Sequence, residues 1–127
     1  MGFPWPVDNV WATIEPQELD YDIGFVGWAS KIEPCQATES CTATGLNCLF
    51  TVRRTFYGYV EREDPALAKT QWDEHWDCMK RCRLQLVCES IPGVLRYRLL
   101  ESMAAGRVPV CFMSDSVVWP FADDWKR

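Results

Sequence analysis

Arg98 and Glu101 stand three residues apart in the run Tyr97-Arg98-Leu99-Leu100-Glu101, whose apolar positions suit a helix. Three residues advance about 4.5 Å along a helix and keep nearly the same face, so a guanidinium and a carboxylate are presented together. A guanidinium is a planar fork of donors that matches a phosphate, in charge-assisted bonds worth roughly 1.5–3 kcal/mol. An ionised carboxylate only accepts, which suits the vicinal hydroxyls of a ribose. Upstream, Ser90 and Gly93 lie in a loop that can bring N–H groups and a hydroxyl to a phosphate. The helix start beyond it favours an anion by roughly 0.3–1 kcal/mol. Downstream, Ser114 and Asp115 follow an apolar strand and could line a sugar pocket. Together these residues read as a site for a nucleotide diphosphate and its sugar. By spacing alone, Arg98 and Glu101 also fit a solvated helix pair worth roughly 0.2–0.5 kcal/mol.

Such a site needs a scaffold. Residues 22–28 form a short β-rich apolar run bounded by acids and Ser30, which predicts a first strand. Residues 31–45, rich in Thr, Ser, Glu and Cys, predict a loop, and 47–55 suit a strand or a short helix equally. Pro65 follows the acidic stretch 61–64 and marks a helix start. Trp72, Trp76, Met79 and Arg83 then recur at spacings of four, three and four, so an amphipathic helix is expected over 67–82. A strand over 83–88 comes next, then a helix over 94–105 with the stripe Leu95, Leu99, Leu100, Met103 and Ala104. Gly106 ends it, and 108–113 reads as a buried parallel strand with Pro109 near its start. Strands alternating with helices pair in parallel through right-handed crossovers, so the expected class is α/β, a partial doubly wound parallel sheet of Rossmann-like type. In such sheets ligands settle beyond the carboxyl ends of the strands, where Ser90, Gly93, Ser114 and Asp115 fall. Residues 1–20, with three prolines and two tryptophans and no sustained period, are expected to form an irregular arm on a domain over 21–127.

A chain of 127 residues with 48% hydrophobic and 24% charged residues suits one globular domain. A net charge of -5 argues against a nucleic-acid partner, which needs clustered Lys and Arg. No apolar run approaches the roughly 20 residues of a membrane helix, and the amino terminus lacks the pattern of a signal peptide. Pro6 stands where a myristoylation pattern wants Ser or Thr. Seven cysteines leave at least one thiol unpaired. Cys35, Cys41 and Cys48, in a polar segment, are the better disulfide candidates, while Cys88 and Cys111 suit free thiols in apolar strands. His75, Cys78 and Cys82 fall at i, i+3 and i+7 of one helix with Cys88 beyond, which makes a cysteine-rich interaction or zinc-binding module the alternative reading.

The residues 97–101, Ala105-Gly106-Arg107-Val108-Pro109-Val110, Ser114-Asp115, Trp119-Pro120-Phe121 and Asp124-Trp125 resemble the exostosin family of glycosyltransferases. The resemblance is tight over 88–125 and loose over 22–27. It implies the donor-binding half of a two-domain GT-B fold, as a part of a longer enzyme whose acceptor half lies outside this chain. It implies an inverting transfer of sugar from a nucleotide diphosphate sugar, such as a UDP-sugar, to an acceptor hydroxyl of a glycan or glycoprotein. Arg98 would stabilise the charge that develops on the departing diphosphate, with no metal or further cofactor. Asp123 and Asp124 resemble a metal-binding pair only superficially. The family implies a Golgi membrane and lumenal setting in animals and plants, and outside that setting the chain is expected in the cytoplasm.

Overall fold

The computed structural model describes residues 13–14, 19–28, 32–55, 57–88 and 97–112, and of 32–35, 57 and 58 the backbone alone. Alternation of strand and helix is the pattern found. In chain order come β1 (Tyr21–Trp28), α1 (Ile32–Ala43), β2 (Cys48–Arg53), α2 (Tyr57–Glu63), α3 (Pro65–Arg81), β3 (Cys82–Cys88), α4 (Tyr97–Ala104) and β4 (Val108–Phe112). The four strands form one sheet in the order β2-β1-β3-β4, and every pairing is parallel. The register runs Phe25 to Phe50, Ile23 to Leu84, and Leu86 to Val110. This is the expected α/β class.

Strand order dictates where the helices lie. The chain steps from β1 to β2 in one direction, then back past β1 to β3 and on to β4, so crossovers of one hand put α1 on one face and α3 and α4 on the other. The period of two along β1 shows both faces. Ile23 and Phe25 pack with Ala37 of α1, Leu86 and Cys88. Val26 packs with Cys78 and Cys82, at the end of α3. Ile14, from the expected arm, reaches a third cluster in which Met79 and Trp76 of α3 meet Ala104 and Ala105.

Local signals explain the helix ends. Asp64 caps α3, its Oδ1 accepting from the Leu67 N–H at 3.1 Å, and Pro65 opens the first turn, where an N–H has no intrahelical partner. Gly106, at φ 68°, closes α4 with its N–H on the Met103 carbonyl at 3.0 Å, while the Arg107 N–H reaches the Ser102 carbonyl at 2.8 Å. Those paired bonds satisfy two carbonyls of the last turn and need the left-handed conformation that glycine adopts freely.

Three expectations are corrected. Residues 32–43 are helical where a loop was expected: α1 lacks an apolar stripe, and only the small Ala37 and Thr38 of its described side chains are buried. Its helix rests on packing against the sheet rather than on sequence period. The strand 108–112 was expected to be buried, yet Val108, Val110, Cys111 and Phe112 are exposed, because β4 pairs only with β3 among the described residues. Cys41 and Cys48 are thiols, so no disulfide joins these two candidates. Burial raises the pKa of each, with the neighbouring Cys48 adding to the effect on Cys41. Over 47–55, where strand and helix competed, β2 forms. The helix α2 had no assignment from sequence.

Gly24 faces the thiols of Cys78, near the end of α3, and of Cys82, at the start of β3. A Cβ there would lie 2.5 Å from the sulfurs of both Cys78 and Cys82. Gly24→Ala is therefore expected to cost about 1–3 kcal/mol through overpacking, seen as a lower urea midpoint at unchanged slope. An unaltered midpoint would mean that the two thiols do not rest on β1.

Candidate functional site

The helices that follow β1 and β3 lie on opposite faces of the sheet, α1 on one side and α4 on the other. In open parallel sheets the carboxyl ends of two such adjacent strands are the usual ligand position. Arg98, the second residue of α4, is positioned there. Its guanidinium carbon lies 5.0 Å from the centroid of the Phe25 ring, and a Cβ on Gly27 would come within 3.4 Å of Nη2 and 3.5 Å of Nη1. Gly27 thus leaves room for the guanidinium to lie across the end of β1. The side chain is half-buried, with Nη1 fully so.

Glu101 turns elsewhere. Its Oε2 stands 3.4 Å from Nε2 of His75 on α3, and both side chains are largely covered, at 23% and 13% exposure. These two acid and base groups are therefore not a solvated pair on an outer helix face. One helical turn separates a guanidinium directed to β1 from a carboxylate directed to α3. A second cation, Arg53 at the end of β2, donates from Nη2 to the Gln71 carbonyl at 3.1 Å and pairs with Glu74. The ring of Trp72 meets that of His75 edge-on at 6.1 Å. Three elements thus bring Arg53, Glu74, His75, Arg98 and Glu101 into one neighbourhood. Beside them Gln71 buries Oε1 with no hydrogen-bond partner among the described residues.

Burial, then the charge of Arg98, hold the His75 pKa below its ordinary 6.5; the hydrogen bond and charge of Glu101 oppose this, and Arg53 adds to the lowering. With the ring neutral, Nε2 carries the proton that Glu101 accepts. The sign of the linkage follows. As pH falls below 6.5 the unfolded chain protonates this ring before the folded chain does, so stability present above 6.5 is lost below it. One proton sets a limit of about 1.4 kcal/mol per pH unit. The urea midpoint should fall more steeply between about pH 6.5 and 5 in the native chain than in His75→Gln. Equal slopes would remove this assignment.

Of the site residues expected from sequence, Arg98 and Glu101 lie among the described residues, on one helix and against different neighbours. Ser90, Gly93, Ser114 and Asp115 lie outside the described residues, as do Trp119, Phe121, Asp123 and Asp124. The residues that sequence reasoning passed over are Arg53, Gln71 and Glu74, and the pairing of His75 with Glu101. A signal for two of them was present: Gln71 and His75 continue through Cys78 and Cys82 at steps of four, three and four, a polar row on the inward stripe of α3. The trio considered for zinc divides, since His75 meets Glu101 while Cys78 and Cys82 meet each other at 3.9 Å. Among the described residues no three or more His, Cys, Asp or Glu side chains are grouped to hold a metal ion. No described helix is long and apolar enough to cross a membrane. No family model, curated protein or solved structure matches this chain.

Proposed function

We propose that this chain is the donor-binding part of an exostosin-like inverting glycosyltransferase, holding the diphosphate of a nucleotide sugar in the crevice between β1 and β3. The observation that carries this reading is the guanidinium of Arg98 lying across the carboxyl end of β1, where the sheet's connections diverge. An anion there meets a fixed, half-desolvated cation, which attracts it more strongly than the same charge in open water. Negative charge grows on the diphosphate as the glycosyl bond breaks, and Arg98 would stabilise it. The loop holding Ser90 and Gly93 would add donors to the phosphates, and Ser114 and Asp115 would meet the sugar.

In this reading Glu101 would take the nucleoside, although it turns to α3 while Arg98 turns to β1. Its Oε2 is engaged by His75, so the ribose hydroxyls would meet a carboxylate that His75 already orients. Gln71 Oε1, a buried acceptor, suits a hydroxyl-rich ligand in the same neighbourhood, because such an atom gains most from a donor. The acceptor substrate is a glycan or other hydroxyl, and the base that deprotonates it belongs to another part of the enzyme.

Titration calorimetry with UDP tests the reading on the intact chain. One saturable site is expected, weakened by salt as a charge-assisted contact must be. No heat at millimolar UDP would overturn it.

A further inference from the structure

The polar row on α3 ends in two thiols whose closeness nucleotide binding does not use. Cys78 Sγ and Cys82 Sγ are 3.9 Å apart, and both residues are buried, at 1% and 0% exposure. Backbone geometry holds them at this spacing. The Cys82 N–H bonds the Cys78 carbonyl, closing a last helical turn before Cys82 opens β3. Four residues of helix separate Cα atoms by about 6.2 Å. That falls inside the roughly 4.4–6.8 Å span of disulfides, so closure needs side-chain movement and little backbone change. Gly24 gives both sulfurs their room.

We propose that Cys78 and Cys82 form a redox-active dithiol, closed to an intrachain disulfide by a hydroperoxide. The two sulfurs lie within contact of each other, and the Cys78 thiol also meets Gln85 Oε1 at 3.8 Å. One sulfur attacks one peroxide oxygen, the O–O bond breaks, a sulfenic acid forms, and the departing hydroxide leaves as water with that thiol's proton. The other sulfur then attacks the sulfenic sulfur, the S–S bond forms, the S–O bond breaks, and its proton goes out in a second water. The two thiols lose two electrons and the peroxide gains two. A small oxidant is required because both sulfurs are covered, and hydrogen peroxide is scarcely larger than water. The turn that closes also holds α4, through Arg107 bonds to the Met79 and Lys80 carbonyls at 2.9 and 3.1 Å.

The proposal does not depend on nucleotide binding and is tested without it. The native chain is treated with hydrogen peroxide, its remaining thiols are alkylated after denaturation, and it is digested with trypsin without reduction. Trypsin cuts after Lys80 and Arg81, between the two cysteines, so the disulfide would join the peptides 70–80 and 82–83. That linked pair is expected, reversed by dithiothreitol. With either cysteine changed to serine, a dimedone adduct should appear on the thiol that remains. Thiols at both positions after the exposed Cys111 has been oxidised would overturn the proposal, as would a disulfide from Cys78 to any other cysteine. The mapping on the unsubstituted chain stands even if either variant fails to fold.

Discussion

Arg98→Ala is expected to weaken the proposed UDP binding by roughly 10- to 100-fold, the range implied by losing a charge-assisted bond of roughly 1.5–3 kcal/mol. The effect is large because the guanidinium is held in place before the anion arrives. The Phe25 ring lies beneath it and the bare backbone of Gly27 lies beside it, so little side-chain freedom is left to lose on binding. Arg98→Lys should recover only part of the affinity, because an ammonium is a point charge without the planar fork that meets two phosphate oxygens. Calorimetry measures both. A dissociation constant for Arg98→Ala within twofold of the unsubstituted chain would leave the crevice without its anion contact, and the donor-site reading with it. Stability should change less than binding, since the contact with Phe25 is worth about 0.5–2 kcal/mol.

Phe25→Ala has the largest expected effect on the fold, about 3–5 kcal/mol. The ring is fully buried among Ile23, Ala37, Leu86 and Cys88, on the face of the sheet that α1 covers. Its removal leaves a cavity that a strand paired on both sides cannot collapse to fill. For a domain whose whole stability is about 5–15 kcal/mol, such a loss brings the unfolded state into view. Urea denaturation followed by tryptophan fluorescence measures it. A midpoint equal to that of the unsubstituted chain would show that the ring is not sealed between α1 and the sheet. Phe25→Leu separates the two roles of this residue: most of the apolar volume stays, while the aromatic face under Arg98 is lost.

Periodicity and capping are local, and where they were strong the elements were legible. The stripe through Trp72, Trp76 and Met79, with Pro65 before it, located α3 to within two residues at its start, and Gly106 located the end of α4. The helix α1 escaped because Thr, Ser and Cys carry poor helix propensity, and its buried contacts come from residues too small to show as a stripe. The strand β4 was read as buried because an apolar run is the same whether the strand is central or at an edge. Of the site, Arg98 and Glu101 were legible as a pair of complementary chemistries, but their partners were not. His75 lies 26 residues from Glu101 and Gly27 lies 71 from Arg98, and nothing local to either sequence position reports on such a contact.

By itself, then, the order of residues determined which segments are strand and which helix over most of the chain, and where two helices start or stop. The tertiary structure alone decided that the chain returns from β2 past β1, so that β3 lies on the other side of β1. That step creates the diverging connections, brings Arg98 across the end of β1, and sends Glu101 to His75. The physical reason is one of range. Hydrophobic period and caps act within a turn or two of backbone, whereas strand order is chosen by the summed burial of both sheet faces, a free energy that belongs to the whole fold.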